Sequence, residues 1–155
     1  MKIKNNVAII GFGKIGKLRY DLLKKIKSVN ITKIYDPYEK VFSKYKCSNV
    51  DEIFHDKDIN IVFICTPNYL NSNYTCRALK NDKHVFCEKP PAINLNEIKK
   101  VINYEKKYKR KLMYGFNHRQ HQSILLMKKL IESKRFGKIL WARGRYGKSV
   151  SNDFF

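Results

Sequence analysis

The sequence predicts an α/β fold, in which a doubly wound parallel sheet is followed by the start of an incomplete α+β domain. Short apolar segments alternate along the chain with helical patterns, which is typical of a parallel sheet with helices on both faces. Hydrophobic residues make up 43% of the chain and charged residues 30%, a balance typical of globular proteins. The length of 155 residues suits one well-buried domain and is short for two complete ones.

Each predicted element follows from a local pattern. Continuous apolar runs indicate strands buried on both faces, and apolar residues spaced three and four apart indicate helices. The predicted strands are 7–10, 31–35, 59–65, 85–87, 112–115 and 139–146. The predicted helices are 14–27, a short one at 41–45, 72–80, one that ends near residue 108, and 123–133, with a turn at 51–54.

Two helices carry more detailed signals. The helix at 14–27 has regularly spaced apolar residues at Ile15, Leu18, Leu22 and Ile26, which predicts an apolar face. The helix that ends near residue 108 follows a capping-box pattern, with Asn94 as the N-cap and Glu97 at the third helical position. We expect a domain boundary near residues 119–123, with a first domain at 1–120 and an incomplete second domain at 121–155.

A glycine motif lies between the first predicted strand and the first predicted helix. It fits G-x-G-x-x-G and comprises Gly11, Phe12, Gly13, Lys14, Ile15 and Gly16. In a Rossmann fold, Gly11 would permit the tight turn, Gly13 would let a pyrophosphate approach the backbone, and Gly16 would allow close helix packing. The helix N-terminus would then offer its N–H groups to the phosphates. We therefore predict that these six residues bind a dinucleotide.

Asp36 ends the next predicted strand, 20 residues after Gly16. Its carboxylate can accept hydrogen bonds from both adenosine ribose hydroxyls and would repel a 2′-phosphate. We therefore favour NAD over NADP as the cofactor. The alternative is structural, since Asp36-Pro37 is also typical of a turn.

Two more segments follow strands, at the edge where open α/β sheets bind their ligands. Thr66, Pro67 and Asn68 follow the strand at 59–65 and are predicted to lie on the nicotinamide side of the cofactor. Glu88-Lys89-Pro90 follows the strand at 85–87, where a lysine beside a cofactor can act on a substrate hydroxyl. Taken alone, Glu88-Lys89 is also consistent with a weak surface ion pair.

Several segments, in their joint order, resemble the glucose–fructose oxidoreductase / inositol dehydrogenase (Gfo/Idh/MocA) family. They are VAIIGFGKIG, IYD, IVFICTPN, KHVFCEKP and YGFNHRQHQS, spanning residues 1 to about 147. The resemblance implies a two-domain NAD(P)-dependent oxidoreductase that acts mainly on sugars and cyclitols. It implies that Lys89 contacts substrate and assists proton transfer, that Glu88 lies near the nicotinamide ribose, and that Asn117 approaches the nicotinamide end. It also implies a cis Lys89–Pro90 bond. The segment NHRQH, followed by GKILWARGRYGK, resembles members that oxidise nucleotide-linked or surface-polysaccharide sugars.

The chain departs from the family pattern in two places. The family usually has a histidine near the position of Asn71, and its catalytic Asp/His motif lies further downstream than Phe155. We therefore expect these 155 residues to bind a dinucleotide and to turn over substrate slowly or not at all. The alternative function is a non-catalytic dinucleotide-binding or regulatory module that works with another chain.

Charge and composition bear on partners and location. The formal net charge of +20 keeps nucleic-acid binding as a minor hypothesis, because the lysines are scattered over every predicted helix. Four cysteines without a Cys-x-x-Cys pair predict neither a metal site nor a disulfide framework. The absence of a long apolar run predicts no membrane span, and we expect a cytoplasmic protein. The expected partners are a dinucleotide and a sugar or nucleotide-sugar substrate, with a homo-oligomer left open.

Overall fold

The structure is a computed structural model that describes residues 5–145 and residue 147. Its strands are β1 (Asn5–Ile10), β2 (Val29–Tyr35), β3 (Ile61–Ile64), β4 (His84–Cys87) and β5 (Leu112–Tyr114). Its α-helices are α1 (Lys14–Leu23), α2 (Asp51–Phe54), α3 (Asn68–Lys80), α4 (Leu95–Tyr108) and α5 (Gln122–Glu132). Single 3₁₀ turns lie at Ser43–Tyr45 and Asn117–Gln120.

The strands form one parallel sheet in the order β2-β1-β3-β4-β5. After β2 the chain crosses to the other side of β1 to form β3, so the direction of winding reverses between β1 and β3. Open α/β sheets bind ligands in the crevice beyond the carboxyl ends of the strands at such a point. The prediction of a doubly wound, Rossmann-type sheet is therefore confirmed.

The core lies on both faces of β1, whose last four residues are fully buried. Val7 and Ile9 pack with Tyr20 of α1 on one face. Ala8 and Ile10 pack on the other face, with side chains of α2 and α3. Burial on two faces explains why β1 is a continuous apolar run rather than an alternating pattern.

Helix α1 is shorter than predicted and rotated away from the predicted orientation. It ends at Leu23, and its buried residues are Gly16, Tyr20 and Leu23. The predicted apolar face is between 43% and 50% exposed, at Ile15, Leu18, Leu22 and Ile26. The physical reason is the close contact of Gly16 with the Gly11 carbonyl, which sets the rotation of the helix, so the residues four and seven positions later face the sheet.

The capping box is formed in part. The Asn94 side chain accepts a hydrogen bond from the Glu97 N–H at 3.0 Å, which confirms Asn94 as the N-cap. The Glu97 carboxylate accepts from the Ser72 hydroxyl at 2.7 Å and from the Ile93 N–H at 3.4 Å. Glu97 therefore ties α4 to α3 instead of completing a reciprocal box with Asn94.

The chain divides into two compact units between Phe116 and Asn117. The second unit contains α5, one residue earlier than the predicted helix 123–133. The predicted strand 139–146 is wrong over 139–145, where the structure has no strand, and residue 146 lies outside the described residues. A strand needs a hydrogen-bonded neighbour, and the described part of this unit offers none.

Candidate dinucleotide-binding site

A cavity of about 410 Å³ opens at the carboxyl ends of β1, β2 and β3. Its walls include aromatic side chains, Tyr35, Tyr69 and Tyr74 among them. The predicted cofactor residues that line it are Gly11, Gly13, Lys14, Ile15, Asp36, Thr66 and Pro67. The structure thus brings three separate sequence segments together at the switch point of the sheet.

The structure explains the glycine at each of the three motif positions differently. Gly11 has a φ of +90°, and a Cβ there would lie 2.5 Å from the Cys65 carbonyl oxygen. A Cβ at Gly16 would lie 2.1 Å from the Gly11 carbonyl oxygen. A Cβ at Gly13 would meet no atom within 4 Å. The fold therefore requires glycine at positions 11 and 16, whereas position 13 is open space on the cavity wall.

The N-terminus of α1 faces this open space with its N–H groups uncapped. Gly13 is the N-cap, and among the described residues no side chain caps the helix and no acidic residue lies in its first turn. The first N–H groups of a helix have no partner within the helix, and together with the helix dipole they attract an anion. This end of α1 can therefore hold a phosphate group.

The Asp36 carboxylate is held in place by backbone donors. Its Oδ2 accepts from the Phe12 N–H at 2.6 Å, and its Oδ1 accepts from the N–H groups of Tyr38 and Glu39 at 2.8 and 2.9 Å. Partial burial acts to raise its pKa, but these donors and the nearby Lys17 outweigh it and hold the pKa below the ordinary value. A fixed negative charge therefore lines the cavity at neutral pH.

Phe12 serves the site through its backbone rather than its side chain. The ring is 2% exposed and packs edge-on against Tyr20, with ring centroids 5.7 Å apart. Its N–H donates to Asp36, which links the glycine loop to the end of β2. Burial of the ring keeps it out of the cavity.

The carboxylate of Glu88, directly after β4, pairs with Arg19 of α1. The Arg19 Nε donates to Glu88 Oε1 at 2.7 Å, and the Nη2 of Arg19 donates to the same oxygen. These side chains are only 15% and 13% exposed. Glu88 therefore joins the phosphate-binding helix to the loop that carries Lys89.

Asn71 lies on α3 and is fully buried. Its side-chain oxygen accepts from the Thr66 hydroxyl at 3.0 Å. Its amide nitrogen donates to the backbone carbonyls of Glu88 at 3.3 Å and Pro90 at 2.8 Å. One side chain thus connects the loops that follow β3 and β4.

The remaining predicted residues lie outside the cavity lining. Lys89 follows β4 with an exposed side chain, and its bond to Pro90 is cis, as the resemblance implies. Asn68 is exposed at the first position of α3. Asn117 is the first residue of the second unit, exposed in a 3₁₀ turn.

A family model described as an oxidoreductase family with an NAD-binding Rossmann fold, Gfo/Idh/MocA, matches residues 5–116. The chain belongs to this family. The matched segment contains the whole sheet and every residue of the cavity described above.

Curated relatives of this Gfo/Idh/MocA chain include two sugar or cyclitol dehydrogenases. The glucose-6-phosphate 3-dehydrogenase of Bacillus subtilis is 29% identical over 150 residues, which cover 92% of this chain and 42% of the relative. The myo-inositol 2-dehydrogenase of Thermotoga maritima is 29% identical over 140 residues, which cover 85% of this chain and 42% of the relative. The chain therefore spans about two fifths of the length of these relatives.

Solved structures have the same fold. A scyllo-inositol dehydrogenase from Lactobacillus casei, with bound NAD(H) and scyllo-inositol, aligns with a TM-score of 0.76 at 22% identity, over 86% of this chain and 42% of its own. A putative NADPH-dependent oxidoreductase from Desulfitobacterium hafniense aligns with a TM-score of 0.78 at 21% identity, over 89% of this chain and 42% of its own.

Sequence reasoning missed Arg19 and the role of Asn71. Arg19 is one of several basic residues in α1, and its position three residues after Gly16 is the only sequence feature that distinguishes it from the others. Asn71 could be recognised as a departure from the Gfo/Idh/MocA pattern, but its hydrogen bonds depend on how α3 packs beneath the loop after β4. Both side chains act between segments that are distant in sequence.

Two cysteines of this Gfo/Idh/MocA chain, Cys65 and Cys87, remain neutral thiols. Burial raises the pKa of Cys65 and of Cys87 to about 12, so both thiols stay protonated near neutral pH. All four cysteines are free. Within residues 5–145 and 147, no group of three metal-ligating side chains comes together, and no helix is long and apolar enough to cross a membrane.

Proposed function

We propose that this chain binds NAD and forms the nucleotide-binding part of a sugar or cyclitol dehydrogenase. The observation that carries the proposal is the shared cavity, in which the uncapped end of α1, the open position at Gly13 and the Asp36 carboxylate meet. An anionic pyrophosphate suits the first two features, and a ribose suits the third.

Asp36 supports NAD rather than NADP. Its lowered pKa keeps it charged at neutral pH, so a 2′-phosphate on the adenosine ribose would be repelled. Oδ1 already accepts two N–H groups and Oδ2 accepts one, which leaves Oδ2 the freer oxygen for a ribose hydroxyl. Titration with NAD and NADP tests this preference, and equal affinities would contradict it.

Lys89 is proposed to assist proton transfer from a substrate hydroxyl. NAD, when bound, supplies the hydride acceptor for oxidation of the carbinol carbon. Lys89 lies at the carboxyl end of β4 with an exposed side chain, and the loop that carries it is fixed by Asn71 and Glu88. The substrate class is supported by the names of the relatives, which include glucose-6-phosphate and myo-inositol dehydrogenases.

The 155 residues alone are proposed to bind cofactor with little or no turnover, because they span about two fifths of the length of these relatives. Calorimetry with NAD tests cofactor binding, and an activity assay on sugars and cyclitols tests turnover. We expect saturable binding with weak or absent turnover. Turnover equal to that of a full-length relative would contradict the expectation of little or no turnover.

A cytoplasmic location is also part of the proposal.

A second candidate is a non-catalytic dinucleotide-binding module that works with another polypeptide. It is favoured by the apolar side chains of α5, which are at least 40% exposed at Ile124, Leu125, Leu126, Met127 and Ile131. Exposed apolar patches of this kind often mark contact surfaces. Light scattering on the purified chain distinguishes the candidates, since a monodisperse monomer would weigh against an obligate partner.

A further inference from the structure

Arg19 and Glu88 form a largely buried ion pair between two parts of the site that are far apart in sequence. The Arg19 Nε and Nη2 both donate to Oε1 of Glu88. The guanidinium carbon also lies 4.9 Å from the centre of the Phe86 ring, and Phe86 stacks on Phe63 at 4.9 Å. A guanidinium held by two hydrogen bonds and a ring has little freedom to move.

The other oxygen of Glu88 is enclosed by the backbone of Gly115. A Cβ at Gly115 would lie 2.6 Å from Glu88 Oε2 and 3.0 Å from its Cδ. Gly115 is itself fixed, because its N–H donates to the Cys87 carbonyl at 2.9 Å. The Glu88 carboxylate therefore has Arg19 on one side and the end of β5 on the other.

The arrangement of the sheet shows what this contact can do. The adenosine features of the site, Asp36 and the glycine loop, lie at the ends of β1 and β2, whereas Glu88 and Lys89 follow β4. A dinucleotide lies across the switch point, so its nicotinamide half would extend from β1 toward the end of β4. Arg19 lies on α1, the helix whose N-terminus would bind the pyrophosphate. Its guanidinium binds Glu88, the residue before Lys89.

We propose that Arg19 is a positioning residue for the nicotinamide half of the cofactor. It fixes Glu88, and through Glu88 the Lys89–Pro90 loop, at a set distance from the phosphate-binding helix. This inference rests on the proposed function and adds to it a residue that lies outside the glycine motif and the Glu-Lys-Pro segment. Glu88 then acts mainly as an anchor, because its Oε1 already accepts two N–H groups.

The test compares affinities for NAD and for ADP, which lacks the nicotinamide half. We expect R19M to lower NAD affinity by roughly tenfold or more, because Glu88 and the Lys89–Pro90 loop lose the contact that fixes their position, and to change ADP affinity less than about twofold. We expect R19K to lie between wild type and R19M, because a lysine keeps the charge without the planar fork. E88Q, which is nearly isosteric with wild type, should also lose NAD affinity while keeping its affinity for ADP. If R19M fails to fold, E88Q tests the positioning role in its place.

Arg77 provides a matched control. It also pairs with a carboxylate, that of Asp51, and lies over a phenylalanine ring, with its guanidinium carbon 4.4 Å from the centre of Phe54. R77M should therefore lower the melting temperature without changing the ratio of NAD to ADP affinity. A ratio in R19M and E88Q equal to that of wild type overturns the positioning role, whereas a folded wild type that binds neither ligand overturns the proposed function itself.

Discussion

Replacing Gly13 with alanine should weaken dinucleotide binding and leave the fold intact. The new Cβ would meet no atom within 4 Å, and the φ of −67° at Gly13 is accessible to alanine. Alanine is a poorer N-cap than glycine by up to about 1 kcal/mol, and it restricts the unfolded chain by about 0.4–1 kcal/mol. These effects oppose each other, so the free energy of unfolding should change by less than about 1 kcal/mol.

The effect of G13A on binding should be much larger. The methyl group would occupy the space through which a pyrophosphate approaches the backbone. Loss of one hydrogen bond between a phosphate and the N–H groups of α1 would cost about 1.5–3 kcal/mol, which corresponds to about a ten- to hundredfold loss of NAD affinity. Calorimetry measures the affinity, and urea denaturation followed by circular dichroism measures the stability.

Gly16 gives the matching control at the other end of the motif. A Cβ at position 16 would lie 2.1 Å from the Gly11 carbonyl oxygen, so the backbone must shift, and overpacking of this kind typically costs about 1–3 kcal/mol or more. G16A should therefore lose stability, and G13A should not. Wild-type NAD affinity in G13A, or a loss of stability equal to that of G16A, would contradict the role of Gly13 as the open approach for the pyrophosphate.

Three other substitutions test the site and its surroundings. D36N should raise NADP affinity relative to NAD in calorimetric titrations, because it removes the charge that repels a 2′-phosphate. The pKa of Asp36 is lower in the folded chain than its ordinary value of 3.8. Its contribution to stability is therefore present above pH 3.8 and is lost as the pH falls through the lowered pKa. The free energies of unfolding of wild type and D36N, measured in urea, should converge at acid pH, and a constant difference between them would contradict this. N71A should lower the free energy of unfolding by about 1–3 kcal/mol, because the Pro90 carbonyl and the Thr66 hydroxyl lose their hydrogen bonds to Asn71. Urea denaturation measures this loss, and wild-type stability would show that these hydrogen bonds contribute nothing. F12A should cost about 3–5 kcal/mol, and a much smaller loss in the same denaturation would show that the ring is not part of the core.

The parts of the site that a local pattern determines could be predicted from sequence. The glycine loop needs a strand before it and a helix after it, and Asp36 needs only to end the following strand, so spacing along the chain locates both. Gly11, Gly13 and Asp36 all line one cavity in the structure. The parallel arrangement of the strands follows from the same alternation of strands and helices, whereas their order in the sheet comes from the structure.

What depends on packing between distant segments could not be predicted. The rotation of α1 is set by the contact of Gly16 with Gly11, which outweighs the spacing of Ile15, Leu18 and the apolar residues after them. The pairing of Arg19 with Glu88 joins residues 69 positions apart. The predicted strand 139–146 is wrong over residues 139–145 for a related reason, because an apolar run forms a strand only beside a hydrogen-bonded neighbour.

The cavity at the end of β1 is proposed to bind NAD through the glycine loop. Calorimetric titration of the wild-type chain with NAD, run beside G13A, measures this binding and its dependence on the loop. We expect saturable binding of one NAD per chain to wild type and binding at least about tenfold weaker to G13A. A chain that unfolds cooperatively, and is therefore folded, but gives no saturable heat with NAD would contradict it.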